Sequence, residues 1–207
     1  MTADTLLTFV AASTLLSFAP GPDNIFVLMQ SALHGRKAGF LITLGLCTGL
    51  LVHTTLVALG VAALIMVSAT AFLVLKLIGA SYLIYLAIMA WRASATVPGR
   101  DTVPALSARQ YYLRGILMNL SNPKVAIFFL AFLPQFVSRD GSSATLQLLV
   151  LGGIFIGVAL VVFGLIASLA GWLAGSLARS PRAQILLNRL AALVFFGLAG
   201  RLALSSR

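Results

Sequence analysis

Two charged residues stand where charge is costly. Asp23 lies in the run Pro20-Gly21-Pro22-Asp23-Asn24, inside an apolar segment from Leu6 to Met29. Lys124 closes Asn119-Leu120-Ser121-Asn122-Pro123-Lys124, inside a second apolar segment from about Tyr112 to Phe136. Proline lacks an N–H and its ring clashes with the preceding turn, so each segment is expected to be a broken helix. A break frees N–H groups on one side and carbonyls on the other, and in hydrocarbon these survive only where protein buries them or they line a cavity. The bare alternative is a kink packed against its neighbours. A carboxylate, an ammonium and asparagine amides in the breaks favour a binding site instead. The N–H end of an unwound helix suits a carboxylate, while the carbonyl end with Asp23 suits an ammonium group. A zwitterion fits such chemistry. The candidate substrate- or ion-binding set is Pro20, Gly21, Pro22, Asp23, Asn24, Asn119, Asn122, Pro123 and Lys124, with Lys76 added from a third segment. Asp23 and Lys124, of opposite charge, are expected to pair across the two breaks.

Lys76 lies a turn or two inside its segment, so snorkelling to the interface is as good a reading as a role in the site. His53 is read first as a histidine bonded to a neighbouring carbonyl, with a proton relay as the sharper alternative. Catalysis would need a convergent acid–base or metal set, and the chain has four Asp, no Glu and two His. Cys47 is the single cysteine, which excludes a disulfide framework and a thiolate metal cluster. The chain is therefore read as a non-enzyme that calls for no cofactor and no metal.

These residues are carried by a very apolar chain. Of 207 residues, 60% are hydrophobic and 9% charged, against roughly a quarter charged in soluble domains. The apolar runs are continuous rather than alternating, which excludes an outer-membrane barrel. The expected fold is all-α: six transmembrane helices in one domain. They cover about Asp4–Gln30 (broken), Gly39–Met66, Ala71–Trp91, Tyr112–Phe136 (broken), Thr145–Trp172 and Ala183–Leu204. Three helices per half reverse the second half in the membrane. Two inverted three-helix repeats, 1–92 and 112–207 joined by a cytoplasmic link 93–111, follow from this count, with each repeat opening on a broken helix. The weaker match between the third and sixth helices puts Lys76 near Arg189.

The net charge of +10 lies mostly in alternate links, so it reads as a topology signal and a lipid-headgroup contact rather than a nucleic-acid patch. Arg36, Lys37, Arg92, Arg100, Arg109, Arg114, Arg179, Arg182 and Arg189 follow or precede one set of ends; only Arg139 marks the other links. The positive-inside rule makes the first set cytoplasmic and both termini external, with Arg201 and Arg207 as exceptions.

The motifs Phe18-Ala19-Pro20-Gly21-Pro22-Asp23-Asn24, Gly35-Arg36-Lys37-Ala38-Gly39, Gly45 to Gly49, Lys76 to Leu83, Gly115 to Lys124 and Leu133-Pro134-Gln135-Phe136 together resemble the LysE/RhtB family of bacterial amino-acid exporters. The resemblance covers nearly the whole chain. It implies a multi-pass protein of the bacterial cytoplasmic (inner) membrane. It also implies export of amino acids or derivatives such as homoserine, threonine, homoserine lactone or leucine, driven by protons in antiport. Its partners would be the small-molecule substrate, protons and the lipid bilayer, with a homo-oligomer left open. Disulfide-reductant carriers of the same superfamily need paired cysteines, which a lone Cys47 does not supply. A channel, or an exporter of another solute or ion such as a metal cation, is the alternative.

Overall fold

The structure, a computed structural model, describes residues 1–61, 69–94, 104–138 and 142–204. All described secondary structure is helical. Helix α1 (Ala3–Phe18) starts on Thr2, whose hydroxyl accepts from the Thr5 amide, with Asp4 in the first turn where the helix dipole favours an anion. It stops at the Pro20-Gly21-Pro22 run, and α2 (Pro22–His34) restarts with proline in its first turn, where no intrahelical N–H is needed. The two halves are bent by 59°.

Helix α2 turns into α3 (Arg36–Leu56) through Gly35 alone. At φ 83° and ψ 162° that residue sits in a region open essentially to glycine. The expected four-residue link His34 to Lys37 is therefore a single-residue hinge, with His34 and Arg36 already helical. Helix α3 runs on into a π-turn, Val57–Val61. Helix α4 covers Ala69–Arg92. Of an uncharged link expected at Ser68-Ala69-Thr70, Ala69 and Thr70 are already helical and Ser68 lies outside the described residues, as do the loop core 95–103 and the turn 139–141.

Helix α5 (Ala108–Leu120) begins four residues before the expected Tyr112. A capping box explains the difference: Ser107 Oγ accepts from the Gln110 amide at 3.3 Å, and the Ser107 amide donates to Gln110 Oε1 at 2.8 Å. After the second break comes α6 (Pro123–Ile127), continued by a π-turn Phe128–Phe132 and a 3-10 turn Leu133–Phe136. The bend here is 51°. Helix α7 (Ala144–Arg179) outruns its expected end at Trp172, because no breaker occurs before Pro181. Only Ser180 separates it from α8 (Pro181–Leu204), and its hydroxyl accepts from the Ala183 amide at 3.2 Å.

Among the described residues, four helices are long and apolar enough to cross a membrane, and there are up to six spans if each bent pair is one. Exposed leucine, isoleucine and valine cover the outside, for example Leu51, Leu59, Ile78, Leu165 and Leu193, as expected of a surface facing lipid rather than water. Inside, aromatic rings gather round the second break's far half. Phe128 stacks near Phe132 (4.9 Å) and Phe155 (5.2 Å), and Phe9 meets Phe136 edge-on at 5.0 Å.

Close approaches fix the helix directions. Gly45 of α3 faces Gly115 and the Tyr112 carbonyl of α5, and Gly49 faces Asn119, so α3 and α5 run parallel. Gly79 of α4 meets Leu202 of α8, whereas Arg189 lies over the Trp91 ring at 5.5 Å, so α4 and α8 run antiparallel. This corrects the expected neighbourhood of Lys76 and Arg189. The two residues hold matching positions in their helices, and matching positions in antiparallel helices lie at opposite ends.

The same directions collect the basic ends. The α2–α3 hinge sits beside the start of α5, with the His34 and Tyr111 rings 6.2 Å apart, and the start of α8 meets the end of α4. Arg201 is an exception at the far end. Its guanidinium lies 4.4 Å from the Phe136 ring centre and 5.9 Å from that of Phe132, a cation–π seat for a charge that has no partner anion among the described residues.

Candidate substrate site at the two helix breaks

The two breaks meet at one buried cavity. Ser17 and Leu16 line it from α1, Asp23 from α2, Asn119 from α5 and Lys124 from α6, with Leu50, Val125, Phe155 and Phe163 as its apolar wall. Its volume is ≈ 20 Å³, room for a water molecule and too little for an amino acid.

Lys124 is placed by a short chain of local causes. Asn122 Oδ1 accepts from the Lys124 amide at 3.0 Å and so caps the restarted helix, while Pro123 takes the first helical position. The side chain then reaches across to the first break. The two hydrogen bonds of its ammonium go to carbonyls at the C-terminal end of α1: Ala19 at 3.0 Å and Leu16 at 3.5 Å. Those oxygens are left over where a helix stops, and the negative end of the dipole favours a cation there. Asn24 completes the cap, donating from Nδ2 to the Ser17 carbonyl at 2.6 Å.

Asp23 lies in the first turn of α2, and its side chain is 2% exposed. Lys124 acts on it through charge, and Asn122 and Asn119 are its polar side-chain neighbours. The geometry thus differs from a simple pair in direct contact: the ammonium is docked on carbonyls, and the carboxylate stands beside it. Among the described residues, Asp23 Oδ1, Asn24 Oδ1, Asn119 Oδ1, Asn122 Nδ2 and Ser17 Oγ are buried without a hydrogen-bond partner. Three of these atoms, on Ser17, Asp23 and Asn119, belong to cavity-lining residues, so polar groups with spare hydrogen-bonding capacity gather where the two breaks meet.

The structure therefore brings Asp23, Asn24, Asn119, Asn122 and Lys124 together, with Pro20, Gly21, Pro22 and Pro123 forming the bends that let them meet. Lys76 is buried on α4 and is not part of the cavity lining. His53 takes its plainer reading, with Nε2 3.3 Å from the Asn119 carbonyl at the end of α5. Sequence reasoning missed Ser17, Phe155 and Phe163. It also read Gly45-x-x-x-Gly49 as packing only. A Cβ on Gly49 would come within 2.6 Å of Asn119 Oδ1, so this glycine makes the space that Asn119 occupies. The same Cβ would lie 2.7 Å from Asn119 Cβ, so Gly49→Ala is expected to shift α5 as well as the Asn119 amide, lowering transport roughly tenfold and membrane abundance to a lesser extent. Transport assays normalised to immunoblot signal check this.

A family model described as LysE type translocator matches residues 14–206. The chain belongs to this family. A homoserine/homoserine lactone efflux protein of Salmonella typhimurium is 35% identical over 207 residues, covering 100% of this chain and 99% of that one. An uncharacterized membrane protein of Vibrio cholerae is 35% identical over 194 residues, 92% of each chain. A leucine efflux protein of Salmonella typhimurium is 27% identical over 199 residues, 95% of this chain and 93% of the other. No solved structure matches the chain. As a LysE type translocator with several apolar spans, the protein is a multi-pass membrane transporter and not an enzyme.

Proposed function

We propose that the protein is a secondary exporter of free amino acids or close derivatives, of the homoserine, threonine or leucine kind, across the bacterial cytoplasmic membrane. The observation that carries this is the small cavity where the two helix breaks meet, lined by the carboxylate of Asp23, the ammonium of Lys124, the amide of Asn119 and the hydroxyl of Ser17. Acceptors on Asp23 and Asn119 suit the substrate's ammonium; donors on Asn122 and Ser17 suit its carboxylate. The apolar wall of Leu50, Val125, Phe155 and Phe163 suits a short aliphatic side chain. The efflux activities in the names of relatives aligned over nearly the whole chain point the same way.

A pocket between the breaks with room for about one water fits a carrier that alternates access, whereas a channel needs a continuous path. Two inverted repeats supply the moving parts. Their supporting signs are a bent pair opening each half, the parallel α3 and α5, and the antiparallel α4 and α8. Asp23, able to alternate between a charged state beside Lys124 and a protonated one, is the proposed proton carrier for antiport. Everted vesicles from an overexpressing strain should take up labelled homoserine or leucine when a proton gradient is imposed. Uptake that persists after the gradient is collapsed would remove the coupling and leave the exporter; no uptake of any amino acid would remove both.

The basic end of the bundle is assigned to the cytoplasm and both termini to the outside. Lys37 is exposed beside the Gly35 hinge, and native Cys47 is buried, so Lys37→Cys is a clean probe. An impermeant thiol reagent should label it in everted vesicles and spare it in intact cells. Labelling of intact cells would reverse the topology.

A further inference from the structure

The ammonium of Lys124 sits where a substrate's own ammonium is expected to bind. Ala19 and Leu16 carbonyls hold it, in a pocket where Asp23 Oδ1 is a further buried acceptor without a hydrogen bond among the described residues. The chemical group is the same as that of an amino acid, a primary ammonium with three N–H donors on an sp³ carbon. Resting on the amino-acid reading above, we propose that Lys124 is a tethered stand-in for the substrate ammonium: in the empty carrier it fills the carbonyl-lined subsite at the end of α1, and an incoming amino acid displaces it.

The exchange balances charge. An arriving zwitterion hands its ammonium to the Ala19 and Leu16 carbonyls and to Asp23. Its carboxylate receives the displaced Lys124, and the net charge of the buried site is unchanged. A simple amine brings one positive charge and no carboxylate, leaving two cations in a low-dielectric pocket beside one aspartate. The lysine thus admits zwitterions and rejects amines. It also keeps the empty carrier closed, since without it the α1 carbonyls would face the cavity unsatisfied. Gly21 sets the fit: a Cβ there would lie 3.0 Å from Lys124 Nζ, the movable tip of a long side chain. Its backbone is extended at φ −168°, a conformation any residue adopts, so alanine would press the ammonium tip aside by a few tenths of an ångström and loosen its bonds to the carbonyls without straining the chain.

The test uses purified full-length protein in lipid nanodiscs, with calorimetric and thermal-shift titrations of L-homoserine, L-leucine and n-propylammonium. Wild type should bind an amino acid and ignore n-propylammonium. Lys124→Met, with its subsite vacated, should gain n-propylammonium binding at least roughly tenfold over wild type, a difference of about 1.4 kcal/mol. Gly21→Ala keeps the charge but loosens its seat, and should bind the amino acid several-fold more tightly than wild type. A folded Lys124→Met that ignores n-propylammonium, or a Gly21→Ala that binds the amino acid more weakly, would overturn the proposal. If Lys124→Met does not fold, the Gly21→Ala affinity decides alone. The exporter reading fails separately: wild type would bind neither amino acid while Lys124→Met still took n-propylammonium, which supports the subsite without the substrate.

Discussion

Lys124→Met is expected to reduce export at least roughly 100-fold, matching the ~3 kcal/mol or more expected when one member of a buried charged set is removed. The change strips the hydrogen bonds from the Ala19 and Leu16 carbonyls and leaves Asp23 as an uncompensated buried carboxylate. Asp23→Asn should abolish export to a similar extent, because it removes the acceptor for the substrate and leaves the Lys124 charge buried alone. Both proteins should still reach the membrane, since the bends come from the prolines and not from the charges. In the double variant the two losses should not add: the stability deficit of Asp23→Asn plus Lys124→Met should fall short of the sum of the singles by about 1 kcal/mol or more. Strict additivity would mean that the two charges do not act on one another. Exchanging the residues, Asp23→Lys with Lys124→Asp, would preserve the charges but point a carboxylate at two carbonyls. We expect the exchanged protein to fail in folding as well as in export. Immunoblots of membrane fractions and unfolding temperatures in detergent separate the two effects.

The second large effect concerns the α3–α5 contact. A Cβ on Gly115 would strike the Ile42 carbonyl and approach Gly45 Cα, so backbone meets backbone and no side chain is free to yield. Small residues permit this approach in the membrane, where dispersion and not water drives helix association. Gly115→Leu should therefore separate α3 from α5, destabilise the fold by about 3 kcal/mol or more, and remove the protein from the membrane fraction. Gly153→Leu is the matched control. A Cβ there meets nothing within 4 Å, and its unfolding temperature should stay near wild type. A Gly115→Leu protein with wild-type unfolding temperature and abundance would contradict the parallel packing of α3 on α5.

Which parts of this were legible in the sequence follows from how local their causes are. The breaks were legible because proline acts within one turn, and both bends fall where Pro22 and Pro123 put them. The early start of α5 was equally local, written in Ser107-x-x-Gln110, and was passed over because a loop reading absorbed it. The docking of Lys124 on α1 was not legible. It depends on how two bent helices cross, and sequence gives the break but not the angle. Phe155 and Phe163 were hidden for another reason: α7 is apolar on every side, so periodicity marks no buried face. Arg201 counted against the topology until the Phe132 and Phe136 rings beneath it supplied a reason for a cation at that end. Gly49 shows the opposite error, a common packing motif that also shapes the site through Asn119.

Counterflow with the purified protein in proteoliposomes decides whether the proposed site between the two breaks carries amino acids. Vesicles preloaded with unlabelled L-homoserine or L-leucine should accumulate the labelled form of the same amino acid transiently above equilibrium. Vesicles carrying Asp23→Asn at equal protein content should not. Absence of counterflow for every amino acid tried, or wild-type counterflow by Asp23→Asn, would contradict the account.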